Sequence, residues 1–104
     1  MGDLTFEITA DHSSRMVISV AGEVDLATSA ELVDCVQTNA DRDVVLDLSR
    51  VAFLDSAGVR ALVHSYRLLR DSGHTLRTSG EPDNVRMVLE IVGVLDTLHG
   101  EHDA

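Results

Sequence analysis

A single α/β domain is predicted, opening on a β-hairpin and continuing as alternating helices and strands, with a mostly parallel central sheet flanked by helices. Three features of the chain predict it. Its 104 residues, 44% of them apolar, suffice for one modest core. Apolar patterns of period two and period 3.6 alternate along it. No linker composition or internal repeat interrupts that order, so residues 1–104 read as one domain with a core over about 4–99 and a frayed tail over 100–104.

The elements follow in order. Leu4, Phe6 and Ile8 alternate with Thr5, Glu7 and Thr9, and a second β-rich run spans Met16 to Val20. The cluster Asp11-His12-Ser13-Ser14 between them supplies turn residues, which makes the pair a hairpin. After Gly22, Leu32, Val33 and Val36 fall at helical spacing, with Thr28 or Ser29 available as the N-cap. Val44 to Leu48 is a continuous apolar run apart from Asp47, the pattern of a central strand covered on both faces. Val59, Leu62, Val63, Tyr66 and Leu69 obey the i, i+3, i+4, i+7 rule and predict a helix from Ser56 to about Asp71 that stops at Gly73. A weaker strand over His74 to Thr78 leads to Pro82, which suits the first turn of a helix over Asp83 to Val92 ending at Gly93. Val94 to His99 reads as a short last strand.

Composition excludes several classes of function. The net charge of -10 opposes binding to a nucleic-acid backbone, which is driven by clustered cations. It favours a partner with a basic surface. Two Phe, one Tyr and no Trp leave little for stacking bases. With no apolar tract of about 18 residues and no charged-then-apolar leader, no membrane association is expected and the chain reads as soluble and cytoplasmic. Cys35 is the sole cysteine, so no internal disulfide forms.

The chemistry concentrates where the strand at Val44 ends, in Phe53-Leu54-Asp55-Ser56-Ala57-Gly58-Val59. A serine at a strand-to-helix turn suggests a nucleophile elbow, but G-x-S-x-G requires glycine where Leu54 stands. His64 lies eight residues on, about 12 Å along a helix, too far to serve as base. The histidines and cysteine show no metal-ligand spacing, and no glycine-rich phosphate loop exists, so no catalytic residue, metal or cofactor is expected. Asp25, Asp47 and Asp55 at strand ends read as caps or a solvated rim. Two readings of Ser56 remain: an N-terminal helix position beside the Asp55 cap, or an acceptor of phosphate at that same exposed place.

Over about Leu4 to His99 the chain resembles the STAS family, especially the bacterial anti-sigma-factor antagonists. Three stretches carry the resemblance: Gly22-Glu23-Val24-Asp25 ahead of the first helix, Asp55-Ser56-Ala57-Gly58 at the second, and the terminal helix NVRMVLEIVGVL. The resemblance implies a non-enzymatic partner-switching protein. Its acceptor would be Ser56, phosphorylated by an anti-sigma factor with serine kinase activity and dephosphorylated by a PP2C-type phosphatase. Its docking surface would include Glu23, Asp25, Thr28, Asp55, Gly58, Val59 and Arg60. The unmodified form would bind the anti-sigma factor and free the sigma factor for transcription. The alternative role within the family is a non-switching STAS subunit of a stress-signalling complex or of a phospholipid-transport ATPase. One departure from the family pattern is Glu81-Pro82, where Ser-Pro is usual.

Overall fold

The computed structural model describes residues 4–10 and 15–100. Among them the chain forms β1 (Thr5–Ala10), β2 (Met16–Val24), α1 (Ser29–Thr38), β3 (Val44–Leu54), α2 (Ser56–Asp71), β4 (Leu76–Ser79), α3 (Asp83–Ile91) and α4 (Leu95–Leu98). The four strands make one sheet in the order β1-β2-β3-β4, with β1 antiparallel to β2 and the other pairs parallel. The expected hairpin is present, although its turn at Asp11 to Ser14 lies outside the described residues. Each parallel pair is joined through a helix, the connection that parallel strands require.

Register decides which side chains are buried. Ile18 sits opposite Leu46, Leu46 opposite Thr78, and Val44 opposite Leu76, and all five of these residues are buried. The next row, Ser19, Asp47 and Ser79, and the row of Val17, Val45 and Arg77 point to the other face and are half-buried or exposed. The helices therefore cover one face only, which corrects the two-sided burial read from the run at Val44 to Leu48. β3 is an inner strand as expected, but Asp47 holds its second face polar. The carboxylate accepts from the Ser49 amide at 3.0 Å and from the Ser19 hydroxyl at 3.4 Å. The Ser49 amide is the main cause that holds the Asp47 carboxyl below its usual range.

On the covered face, Leu32 and Val36 of α1, Leu62 and Leu69 of α2, and Val85 and Leu89 of α3 pack with the strand residues Ile18, Val20, Leu46 and Leu48, all within 2% of complete burial. α1 lies against α2. At the α1 start the expected cap is absent: Thr28 occupies the N-cap place, but its hydroxyl is turned to the Glu23 carbonyl instead of an α1 amide. Pro82 likewise precedes α3 at the N-cap, and Asp83 is its first residue.

The final segment differs from expectation. Val94 to His99 contains a one-turn helix, not a strand. Leu95 and Leu98 are both buried, and three residues apart they share a helical face but would lie on opposite sides of a strand. Gly93, at φ +79°, makes the turn from α3 into it. This end of the chain is fixed by Glu81, whose side chain is 3% exposed. One carboxylate oxygen of Glu81 accepts from the Thr78 hydroxyl at 2.6 Å and lies 2.7 Å from His99 Nε2. Burial alone pushes the Glu81 carboxyl up, but the Thr78 and His99 contacts and its own backbone amide together bring it below its ordinary value.

Candidate functional site

β2 and β3 run in parallel and end side by side, so the loops that follow them form one rim. Glu23 pairs with Phe53 and Val24 with Leu54, and the Asp55 amide donates to the Val24 carbonyl at 3.2 Å. The first loop is closed by Asp25, whose Oδ1 accepts from the amides of Ala27 at 3.0 Å and Thr28 at 3.1 Å. Thr28 Oγ1 accepts from the Asp25 amide at 3.0 Å while donating to the Glu23 carbonyl at 2.7 Å. A short side-chain carboxylate that bonds its own backbone two and three residues on fixes a turn without a glycine.

The second loop has no slack. Asp55 is extended and its Oδ1 accepts from the Gly58 amide at 2.9 Å, the N-cap arrangement expected of it. Ser56 is the first helical residue and is exposed. Gly58 is required by a close approach: a Cβ there would lie 2.4 Å from the Val24 carbonyl oxygen and 2.5 Å from Leu54 Cδ1. The glycine of the D-S-x-G stretch thus lets the first turn of α2 sit on the end of β2, and this seat carries Ser56 outward.

Of the residues expected at the site, Glu23, Ser56 and Arg60 are exposed, and Asp25 and Asp55 are half-buried. Thr28, Gly58 and Val59 are buried beneath them. Their part is to shape the rim. The Ser56 hydroxyl makes no hydrogen bond among the described residues, and His64 lies two turns along the same helix. Among the described residues no base is hydrogen-bonded to it, the arrangement an internal nucleophile uses to lose its proton. Among the described residues no three His, Cys, Asp or Glu come together as a metal centre, and no helix is long and apolar enough to cross a membrane.

Two apolar side chains at the rim are exposed, which their place in the sequence does not by itself dictate. Leu26 is 78% exposed at the tip of the first loop, and Phe53 is 47% exposed at the end of β3. Leu26 borders a shallow groove of about 240 Å³ between α1 and α2, with Val33, Ala57 and Ala61 as its apolar wall and Arg60 and His64 as its polar one. An exposed serine, an apolar tip and an open groove thus share one side of the molecule.

The family profile described as Mlab, STAS domain matches residues 8–99. The chain belongs to the STAS domain family. The anti-sigma-B factor antagonist of Staphylococcus aureus strain NCTC 8325 is 28% identical over 85 residues, covering 79% of each chain. Among solved structures, an anti-sigma factor antagonist from Mycobacterium paratuberculosis superposes with a TM-score of 0.72 at 28% identity, over 92% of this chain and 82% of that one. The anti-sigma factor antagonist SpoIIAA in its unphosphorylated form shares the fold with a TM-score of 0.72 at 20% identity, over 88% of this chain and 83% of that one. The mixed sheet with its antiparallel first strand and helix-covered face is therefore the STAS fold.

Proposed function

We propose that this STAS domain is an anti-sigma factor antagonist switched by phosphorylation of Ser56. The observation that carries the reading is the exposed, unbonded Ser56 hydroxyl on a rigid helix start, next to the uncovered Leu26 and the α1–α2 groove. Relatives that bear the name anti-sigma-B factor antagonist support it. So does SpoIIAA, a fold neighbour that has been solved in a phosphorylated form as well.

In the unmodified chain, Leu26 and Arg60 together with Asp25 and Glu23 dock on an anti-sigma factor that is also a serine kinase. The kinase transfers the γ-phosphoryl group of ATP to Ser56 Oγ: the bond to ADP breaks, the Oγ–P bond forms, and the hydroxyl proton passes to a base of the kinase. A PP2C-type phosphatase reverses the step by directing water at phosphorus, which returns the hydroxyl and releases inorganic phosphate.

The phosphate adds roughly -1.5 to -2 charges beside Asp55 and Asp25. Two unit charges 4 Å apart interact by about 4 kcal/mol at an effective dielectric of 20, and each 1.4 kcal/mol is tenfold in affinity. Heavily screened repulsion from an acidic or nucleotide-bearing partner surface still weakens docking by about one to three orders of magnitude. Free N–H groups and the dipole at the start of α2 tolerate the added charge, so the fold survives while the partner is lost.

The test is intact-mass spectrometry after incubation with ATP and lysate of the host, with Ser56→Ala as control, followed by titration against the captured kinase. One phosphate on the wild type and none on the variant is expected, with tight binding by Ser56→Ala and weak binding by Ser56→Asp. A Ser56→Asp variant that binds as tightly as wild type overturns the switch. A second reading, a non-switching STAS subunit of a phospholipid-transport ATPase or stress-signalling complex, is favoured by the family profile itself, whose description is Mlab and names no sigma-factor role. Stable co-purification with an ATPase and no phosphate on Ser56 in cells would decide for it.

A further inference from the structure

Arg60 stands one helical turn beyond Ser56, and both side chains are exposed. Residues four apart on a helix are neighbours, and an anion placed N-terminal to a cation is the favourable order. Among the described residues Arg60 makes no ion pair, as is also true of Arg50, Arg67 and Arg77, while Arg42, Arg70 and Arg86 each have a carboxylate within 4 Å. The groups around it are few. Asp55 belongs to the α2 start, Asp25 and Glu23 belong to the β2 rim, and His64 lies one turn further along α2. From α1 only the uncharged Ser29, Ala30 and Val33 line the shared groove. Along α2, Arg60 is the only cation within a turn of Ser56, and it makes no ion pair among the described residues.

We propose that Arg60 is the intramolecular clamp for a phosphate on Ser56, so that modification both adds negative charge and withdraws the guanidinium from the α1–α2 groove. This inference rests on the reading of Ser56 as the modified residue and deepens it by assigning the fate of the phosphate. Guanidinium is suited to the task because its planar donors meet two phosphate oxygens at once. In the unmodified chain Arg60 lines the groove beside Leu26, free to meet a carboxylate of the partner. Once the phosphate is in place, the same side chain is drawn back by one turn toward the helix start. The partner then meets an added anion and a missing cation together, and the two losses reinforce each other. Within the modified chain the clamp offsets part of the repulsion that Asp55 and Asp25 exert on the phosphate, which keeps the modified helix start folded.

The experiment is independent of any kinase. Phosphoserine is placed at position 56 during translation, and the second ionisation of the phosphate, ordinarily near pH 6, is followed by phosphorus NMR. Four chains are compared: wild type, Arg60→Gln, Arg60→Lys, and Arg67→Gln as a cation three turns away from the acceptor. A clamp stabilises the dianion, so Arg60→Gln should raise the ionisation by roughly half a unit, between the strength of an exposed i,i+4 pair and that of two unit charges 4 Å apart in water. Arg60→Lys should restore part of the shift, Arg67→Gln should leave it unchanged, and 1 M salt should shrink the difference. Coincident titrations of wild type and Arg60→Gln overturn the clamp, as does an equal shift in Arg67→Gln, which would mark a general field. Because the phosphate is installed directly, these outcomes stand apart from the kinase test. A protein that no kinase modifies defeats the switch, whereas an unmoved titration defeats only the clamp.

Discussion

Replacing Gly58 by Ala tests whether the helix start really rests on the β2 end. An alanine in an ordinary helix position would gain up to about 1 kcal/mol over glycine. Here the new methyl group would stand 2.4 Å from the Val24 carbonyl oxygen, while real Cβ contacts stay above 3.0 Å, so the two elements must part by at least the 0.6 Å difference. No rotamer relieves a clash with backbone, and the same carbonyl accepts the Asp55 amide at 3.2 Å. Overpacking of this kind costs about 1 to 3 kcal/mol, and weakening that hydrogen bond adds about 1. Less the gain in helix propensity, Gly58→Ala should lose about 1 to 3 kcal/mol, a fall in Tm of roughly 5 to 20 °C for a domain of this size. Differential scanning calorimetry at neutral pH measures it. An unchanged or raised Tm would refute the close seating, and with it the argument that this glycine fixes the direction of Ser56.

Three further outcomes are expected. Ser65 is fully buried in α2 and its hydroxyl has no hydrogen-bond partner among the described residues, so Ser65→Ala should raise the urea midpoint, by roughly 1 kcal/mol in stability. Because the Glu81 carboxyl ionises more readily folded than unfolded, its contribution is whole above the ordinary glutamate value near 4.3 and is lost as pH falls through the folded value. Glu81→Gln should therefore lower stability by about 1 to 2 kcal/mol at pH 7, and the difference from wild type should narrow in urea titrations below about pH 4. Leu26→Ser should leave stability within about 0.5 kcal/mol, since the side chain is 78% exposed, yet weaken capture of the anti-sigma factor about tenfold or more in calorimetric titration.

The elements that sequence reading located were those whose patterns are long. Sixteen residues of α2 carry a repeated apolar stripe, and the alternation in Thr5–Ala10 and Met16–Val24 left little choice but a hairpin. Two readings failed for local reasons. One aspartate at position 47 was all that distinguished a one-sided strand from a two-sided one. In Val94 to His99 the segment is too short for period two and period 3.6 to diverge, and only the common burial of Leu95 and Leu98 separates them. At the site, Asp55 and Ser56 were legible because a cap residue followed by a helical stripe has a local cause. The exposure of Leu26 and Phe53 was not, because neither an apolar residue in a loop nor one at a strand end carries a mark of exposure. The Thr78–Glu81–His99 cluster spans 18 residues between Glu81 and His99 and exists only once α4 has folded back. The unusual Glu81-Pro82 was its one trace in the sequence.

The hydrogen bond from the Asp55 amide to the Val24 carbonyl joins the two rim loops through the ends of neighbouring parallel strands. That amide can exchange with solvent only when the strand ends separate, so it should be among the slowly exchanging protons of the sheet, not of a loop. If the rim is the docking surface proposed above, a surface held in this way meets its partner already in shape. Association then needs no folding or loop closure, and its rate is set by diffusion and charge. On the switch proposed above, phosphorylation of Ser56 on such a frame would change how often encounters succeed and how long they last, while the shape that is presented stays the same.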